Sequence, residues 1–218
     1  MLWRMEWWSG VESGMARSLL YTGFGYLCGS ILFARLFGML LRGKDITQES
    51  VDGNPGTANA FLYGGFLCGI LTLCGDLLKG FLPVWMYLRR APLSACQTAL
   101  IPVMAAPVIG HLFPLFGRIK GGKGIAVTFG CLLGLAPELR PVLILAFVFI
   151  FLSAVVRVTP HYDRTIWTYR CVAAGMLFLL ENRYIAAAFL LISLAVNGRM
   201  HLSDEKREKC QVKLLWMR

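Results

Sequence analysis

Lysine and glycine are interleaved between residues 110 and 128, with a spacing typical of an anion site. The cations are Arg118, Lys120 and Lys123, and the glycines among them are Gly121, Gly122 and Gly124. Glycine lets backbone N–H groups approach a ligand closely, and lysine adds positive charge. A helix beginning at Gly124 would add its positive dipole end. The stretch predicts a phosphate site, although a basic loop beside a membrane span can also serve only to set topology.

Two charged residues lie inside an apolar stretch that is otherwise typical of a membrane span. Asp76 and Lys79 are three positions apart, so they share one face of a helix. Charges within a span are costly and face a polar interior or a partner. Two interpretations stay open: the pair neutralises itself and positions the helix, or Lys79 binds an anionic ligand that Asp76 helps to orient.

A histidine and an asparagine-containing turn are the remaining polar candidates. His111 is close to the basic loop, as either a hydrogen-bonded interfacial side chain or a group that accepts a proton or a hydrogen bond. Gly53, Asn54, Gly56 and Asn59 form a pattern typical of exposed turns and helix caps. The same amides can instead line a polar site.

The composition is typical of an integral membrane protein. Of its 218 residues, 57% are hydrophobic and only 16% are charged, and the mean hydropathy is +0.62. A soluble domain carries about 25% charged residues. The net charge of +10 indicates anionic lipid headgroups rather than nucleic acid, since the cations flank apolar runs. We therefore predict an all-α integral membrane protein, a single helical bundle with membrane lipids as partners.

Seven apolar runs predict a bundle of seven membrane-spanning helices. They cover residues 18–41, 57–88, 94–116, 125–136, 142–156, 165–180 and 184–196. Several are shorter than the roughly 20 residues that a spanning helix needs, so they borrow flanking residues, thin the bilayer locally or re-enter it. The predicted layout is an interfacial segment at 1–17 anchored by tryptophans, one membrane domain at 18–196 and a basic tail at 197–218.

The distribution of cations predicts the orientation in the cell membrane. With the N-terminus outside and the C-terminus cytoplasmic, thirteen of the 22 lysines and arginines lie in cytoplasmic segments and six lie outside. This arrangement satisfies the positive-inside rule. The loops after the first, third and fifth runs then share the cytoplasmic side. We expect the Asn54 turn and the Lys120–Lys123 loop to meet there.

In order and spacing, these pieces resemble the PlsY family of acyl-phosphate-dependent glycerol-3-phosphate acyltransferases. The matching segments here are Gly29-Ser30, Lys44-Asp45-Ile46, Gly53 to Asn59, Asp76-Leu77-Leu78-Lys79-Gly80, Gly110-His111-Leu112-Phe113-Pro114 and Lys120 to Thr128. The family's seven spans and outside N-terminus agree with the predicted topology.

The resemblance implies an enzyme of phospholipid synthesis. Such an enzyme transfers an acyl chain from acyl phosphate to the 1-hydroxyl of glycerol 3-phosphate, giving lysophosphatidic acid and phosphate, and it needs no metal or other cofactor. The implied catalytic residues are Ser30, Asn54 and His111. The implied phosphate-binding residues are Lys79, Lys120, Gly121, Gly122, Lys123, Gly124 and Thr128. The implied supporting residues are Gly53, Gly56, Asn59 and Asp76.

Some positions depart from the family pattern. Asp52 stands where the family has a serine, Thr47 where it has an arginine, and residues 159–163 replace a serine-rich stretch. The carboxyl-terminal motif keeps Arg199 but lacks its histidine. A second prediction therefore stays open, a catalytically weakened paralogue that binds a phosphorylated lipid or metabolite. A small transporter is a third, because broken spans and charges within spans are transporter features too.

Overall fold

The computed structural model describes residues 2–90, 97–115, 120–202 and 210–214, with side chains from residue 14 onward. The helices in these ranges are α1 (Leu2–Gly29), α2 (Phe33–Arg42), α3 (Thr57–Gly64), α4 (Phe66–Arg90), α5 (Leu100–Leu112), α6 (Ile125–Leu133), α7 (Arg140–Ile150), α8 (His161–Leu179) and α9 (Arg183–His201). A 3₁₀ turn (Gln97–Ala99) precedes α5, and a π-helical turn (Phe151–Val155) extends α7. The two short strands are β1 (Val158–Thr159) and β2 (Gln211–Val212).

Each of the seven predicted runs overlaps at least one helix, but the first two runs are divided. The first breaks after Gly29 into α1 and α2, and the second breaks at Gly65, whose φ of +83° suits glycine. By length and composition, three segments of the described chain can cross a membrane, residues 14–42, 66–90 and 183–201. The protein is therefore a mainly helical membrane protein.

The ends of the chain refine the predicted layout. α1 begins at Leu2, so the segment 1–17 is helical from residue 2 and continues directly into the first run. The side chains of its tryptophans, like Arg118 and residues 203–209 of the tail, lie outside the described residues. α9 extends to His201, five residues beyond the predicted end of the seventh run. Further along the tail, β2 pairs antiparallel with β1.

Glycines bring α1 and α5 into close contact. A Cβ atom on Gly29 would lie 2.1 Å from the carbonyl oxygen of Pro107, and one on Gly110 would lie 2.3 Å from that of Tyr26. Small residues allow such backbone approach between membrane helices. The Tyr26 hydroxyl also donates to the carbonyl oxygen of Phe113 at 2.9 Å. The end of α5 that carries His111 is thereby fixed against α1.

α4 and α6 meet in the same way. A Cβ atom on Gly80 would lie 2.3 Å from the carbonyl oxygen of Val127, and one on Gly130 would lie 2.1 Å from that of Leu77. This contact brings the buried charges of α4 close to the start of α6 and to the basic loop before it.

The apolar core joins α8 and α9 to these helices. The rings of Tyr169 and Phe189 stack with their centroids 5.7 Å apart, and both side chains are fully buried. The Tyr169 hydroxyl donates to Thr128 Oγ1 in α6 at 2.8 Å. This buried hydrogen bond ties the first turns of α6 to α8.

Candidate active site

A cavity of about 430 Å³ lies where the loop before α3 and helices α3 to α8 meet. Its polar lining residues are Asp52, Asn54, Thr57, Asn59, Asp76, His111, Lys123 and His161. Its larger apolar lining residues are Leu73, Ile125, Phe129 and Phe149. A cavity of this size and mixed lining suits a small ligand with a charged head and an apolar part.

The glycine loop folds back onto the end of α5. The Gly122 amide donates to the carbonyl oxygen of His111 at 3.0 Å, and Arg199 Nη2 donates to the carbonyl oxygen of Gly121 at 3.1 Å. A Cβ atom on Gly121 would lie 2.1 Å from the carbonyl oxygen of Leu112, and one on Gly122 would lie 2.1 Å from His111 Nε2. Both glycines are therefore needed for this close approach, and the Gly122 amide already has an acceptor within the protein.

α6 begins at the cavity, as the sequence predicts. Gly124 precedes its first turn with a φ of +75°, and Gly124, Ile125 and Ala126 line the cavity. The first amides of a helix have no acceptor within the helix, and the dipole there favours anions. Thr128 lies one turn further on, fully buried, and its hydroxyl donates to the carbonyl oxygen of Gly124 at 2.8 Å. Thr128 is therefore placed to shape the helix start from behind the cavity wall.

Asp52 connects the two predicted loops. Its Oδ2 lies 3.0 Å from Lys123 Nζ, and its Oδ1 accepts from Asn59 Nδ2 at 2.6 Å and from the Asn54 amide at 3.1 Å. Burial alone would raise the pKa of Asp52, but the Asn59 hydrogen bond and the Lys123 ammonium lower it below its usual value. The Asn54 turn and the lysine loop thus meet, as predicted. The group that joins them is the Asp52 carboxylate, which was not among the predicted site residues.

Gly53 and Gly56 shape the turn that carries these donors. Gly53 adopts a φ of +62°, and the Gly56 amide donates to the carbonyl oxygen of Asn54 at 2.9 Å. Asn59 Nδ2 donates to the same carbonyl at 2.9 Å. Gly53 and Lys120 also line a narrow cleft beside the cavity, with Arg199 at its edge.

Lys79 lies at the centre of a buried polar cluster. Its ammonium is 2.7 Å from Asp76 Oδ1, 2.6 Å from the carbonyl oxygen of Ile31 and 2.8 Å from His111 Nδ1. The exposed fractions of Asp76 and Lys79 are 2% and 4%. Asp76 and His111 line the cavity, whereas Lys79 does not. This geometry favours the interpretation that Lys79 positions the helices and His111, because three acceptor atoms of the protein already lie within 2.8 Å of its ammonium.

The partners of His111 define its hydrogen-bonding state. An ammonium can only donate, so His111 Nδ1 accepts from Lys79. A neutral ring then carries its proton on Nε2, the nitrogen nearest Gly122. In this state His111 has a donor at Nε2, and its Nδ1 is already hydrogen-bonded to Lys79.

Ser30 lies away from the cavity. Its hydroxyl donates to the carbonyl oxygen of Tyr26 at 2.9 Å and accepts from the Leu115 amide at 3.2 Å. It does not line the cavity. The side chain is placed to hold the segment after α5 against α1.

Sequence reasoning missed His161 and Phe149 as cavity residues. His161 is the first residue of α8, and Phe149 lies near the end of α7. A signal was present for His161, because the polar segment 157–164 follows the fifth apolar run on the predicted cytoplasmic side.

Comparisons with known proteins give one consistent family. A family model described as glycerol-3-phosphate acyltransferase matches residues 19–207. A glycerol-3-phosphate acyltransferase of Cupriavidus taiwanensis is 34% identical over 200 residues, covering 88% of this chain and 98% of the relative. The protein of the same name from Cupriavidus necator is 33% identical over 200 residues, with the same two coverages.

Two crystal structures share the fold. Both are of PlsY (YgiH), an integral membrane glycerol 3-phosphate acyltransferase, and both are 25% identical in sequence to this chain. The glycerol 3-phosphate form matches with a TM-score of 0.70 over 85% of this chain and 88% of that chain. The lysophosphatidic acid form matches with a TM-score of 0.65 over 84% and 87%.

Proposed function

The chain belongs to the glycerol-3-phosphate acyltransferase family, and we propose that it transfers an acyl chain from acyl phosphate to the 1-hydroxyl of glycerol 3-phosphate. The family resemblance predicted from the sequence is thereby confirmed, and the protein is a membrane acyltransferase of phospholipid synthesis. The products of the proposed reaction are lysophosphatidic acid and inorganic phosphate.

One observation carries the proposal: a single cavity gathers Lys123, Asn54, His111 and the start of α6. These groups supply a cation, an amide, a hydrogen-bond donor and the positive end of a helix dipole. Acyl phosphate is a mixed anhydride with a good leaving group. A site for its reaction therefore needs mainly positioning and stabilisation of negative charge.

The predicted residues take different roles in this proposal. Lys120, Lys123 and the amides at the start of α6 bind phosphate, while Asn54 and Asn59 orient the substrate. His111 donates from Nε2 to a substrate oxygen, and Asp76 contacts the cavity beside it. The buried contacts of Lys79 and Thr128, and the hydrogen bonds of Ser30 to Tyr26 and Leu115, support positioning roles for all three.

We place the enzyme in the cell membrane with seven spans, the N-terminus outside, and the cavity and C-terminus on the cytoplasmic side. The positive-inside distribution supports this orientation, and the three apolar helices support the membrane location. Cys210, an exposed residue of the tail, provides a test. A membrane-impermeant maleimide should label it in lysed cells and not in intact cells, and Cys210→Ser should lose that signal. Labelling of Cys210 in intact cells would contradict the topology.

Purified protein in detergent tests the reaction. With acyl phosphate and glycerol 3-phosphate, we expect equal amounts of phosphate and lysophosphatidic acid, measured by a colorimetric assay and by mass spectrometry. Acyl-coenzyme A in place of acyl phosphate should give no product. Lys123→Ala should lose turnover, whereas Lys44→Ala, which removes an exposed cation paired with Glu49 outside the cavity, should keep it. Turnover only with acyl-coenzyme A would overturn the donor, and none with any acyl phosphate would overturn the reaction.

The ion pair between Asp52 and Lys123 favours one alternative, binding without turnover. The Asp52 carboxylate already pairs with Lys123, the lysine that the proposal assigns to phosphate. In this alternative, the ion pair weakens catalysis. Calorimetric binding of glycerol 3-phosphate by a protein that makes no product would identify this second function.

A further inference from the structure

A second cavity, of about 320 Å³, lies beside α8 and shares no lining residue with the cavity of the candidate active site. We call it the α8 groove, since α8 lines it together with the end of α9 and the residue before β2. Its polar and aromatic lining residues are Tyr162, Asp163, Trp167, Arg170, His201 and Cys210. We propose that the α8 groove binds a phospholipid whose headgroup joins a phosphodiester to a primary ammonium, with the phosphodiester at Arg170 and the ammonium at Asp163. This inference does not rest on the proposed acyl transfer.

The residues that carry the proposal lie on one face of α8. Asp163, Trp167 and Arg170 follow each other at intervals of four and three positions, which places them on one side of the helix. Leu177, seven positions after Arg170, continues this face, and both Leu177 and the adjacent Phe178 are exposed. Along α8 the face thus changes from a carboxylate to an indole, then to a guanidinium and then to apolar side chains. A phospholipid with an ammonium headgroup presents its ammonium, its phosphodiester and its acyl chains in the same order.

Arg170 is placed to bind the phosphodiester. Its guanidinium is exposed and lies over the Trp167 ring, 5.9 Å from the ring centroid. Within the described part of the chain, no carboxylate forms an ion pair with it. A charge on a membrane-spanning helix is costly unless it reaches a polar partner, and α8 covers the sixth predicted run. The planar fork of arginine can donate two hydrogen bonds to two phosphate oxygens at once, and its long stem lets the charge extend toward the headgroups.

Asp163 determines which headgroup fits. Its carboxylate lies beside the Cys210 thiol, at the wall of the groove that precedes β2. It is two helical turns from Arg170, about 10 Å along the axis, a gap that the headgroup and the extended arginine side chain span together. The lining carries one guanidinium and one carboxylate, so it complements a zwitterion better than a headgroup with negative charge alone. A primary ammonium donates hydrogen bonds to a carboxylate, whereas the choline ammonium has no N–H group.

A lipid in the α8 groove bridges three segments of the fold. The Tyr162 hydroxyl lies 3.3 Å from His201 Nδ1, and the two rings are in edge-to-face contact. This pair closes the groove between α8 and α9, and Cys210 closes it on the side of β2. Because the bound lipid contacts all three segments only when they are folded together, its binding stabilises the folded protein.

Native mass spectrometry of the purified full chain tests the site. Palmitoyl-oleoyl phosphatidylethanolamine, titrated into lipid-free protein in detergent, should give one bound molecule of higher affinity than any further one. Phosphatidylglycerol and phosphatidylcholine with the same acyl chains should bind about tenfold more weakly, as expected for the loss of one charge-assisted hydrogen bond. Equal affinity for either of these two lipids would overturn the proposal.

Substitutions in the groove separate the two contacts. Arg170→Gln should raise the dissociation constant for phosphatidylethanolamine about tenfold or more, because the phosphodiester loses its cation. Asp163→Asn should reduce the affinity for phosphatidylethanolamine to that for phosphatidylglycerol. Arg89→Gln is the matched control and should keep wild-type affinity, since Arg89 also lies over a tryptophan, 5.3 Å from the Trp85 ring centroid, but outside the groove. Wild-type affinity in Arg170→Gln, or an equal loss in Arg89→Gln, would refute the assignment.

Thermal stability gives a second measurement of the same site. Phosphatidylethanolamine at about tenfold excess over its dissociation constant should raise the melting temperature of wild type by about 3–6 °C, and that of Arg170→Gln by only about 1 °C. Without lipid the two proteins should melt at the same temperature, because Arg170 is exposed and has no ion pair within the described chain. An equal rise in both proteins would contradict a lipid contact at Arg170.

Discussion

The Asp52 carboxylate lies 3.0 Å from the Lys123 ammonium, and the two residues are 71 positions apart in sequence. The other oxygen of Asp52 accepts hydrogen bonds from the Asn59 side chain and from the Asn54 backbone amide. A lysine ammonium, an amide and a backbone N–H are also the groups that bind a phosphate. The carboxylate therefore competes with the substrate for the donors of the site.

We predict that Asp52→Asn binds substrate phosphate more tightly than wild type. The exchange frees Lys123 from a counter-ion, so KM for glycerol 3-phosphate should fall about five- to tenfold, which corresponds to about 1 kcal/mol. Inorganic phosphate should also inhibit more strongly, as steady-state kinetics would measure. Asp52→Glu keeps the charge and serves as control. A higher KM in Asp52→Asn would mean that Asp52 holds Lys123 in place for the substrate.

The same ion pair predicts a pH dependence of stability. The pKa of Asp52 is lower in the folded protein than its usual value, so its stabilisation is complete above the unfolded pKa of about 4. It is lost as the pH falls through the lowered folded pKa. The difference in melting temperature between wild type and Asp52→Asn should therefore be constant from neutral pH down to about 5 and shrink below about 4. A difference that grows on acidification would contradict this.

Gly122→Ala should abolish activity. The new Cβ would lie 2.1 Å from His111 Nε2, so either the ring or the glycine loop must move away from the cavity. We expect kcat to fall at least about 100-fold, since misplacement of about 1 Å can cost this much. Gly198→Ala is the control, because a Cβ there meets nothing within 4 Å. Phosphate release would measure both, and an active Gly122→Ala enzyme would contradict the close packing of loop and histidine.

Lys79→Met should lower the stability of the folded protein and inactivate it. The substitution leaves the Asp76 carboxylate buried without its ammonium partner, which costs about 3–5 kcal/mol. A second change, Asp76→Leu, should recover much of the melting temperature, measured by fluorescence in detergent, because it removes the unpaired charge. Activity should stay low in the double variant, since His111 Nδ1 has lost its donor. A double variant less stable than Lys79→Met would contradict this view of the pair.

Arg199→Ala should weaken substrate binding without contacting the substrate. Arg199 donates to the carbonyl oxygen of Gly121 and so holds the glycine loop against α9. We expect KM for glycerol 3-phosphate to rise about tenfold, in line with loss of a charge-assisted hydrogen bond. Arg140→Ala is the control, since Arg140 pairs with Glu138 on an exposed turn. An unchanged KM in Arg199→Ala would show that the loop keeps its shape without this contact.

Local spacing determined much of what the sequence predicted. The interval of three between Asp76 and Lys79 puts both side chains on one helical face, and they pair at 2.7 Å. A glycine before an apolar run marked the start of α6, and apolar runs longer than ten residues marked the helices. These features depend on neighbours in the chain, so the sequence contains them directly. The family motifs kept their order for the same reason.

Tertiary packing decided where the side chains point. Ser30 turns to the Leu115 amide because close glycine contacts join α1 and α5, and Lys79 reaches Ile31 across 48 positions. Asp52 and His161 enter the cavity only because separate loops converge on α6. Such contacts depend on how helices cross and how closely their backbones approach. No spacing within one segment encodes this information. The sequence therefore predicted the helices and the candidate polar residues, whereas only the fold determined which of those side chains line the cavity and which hydrogen bonds they make.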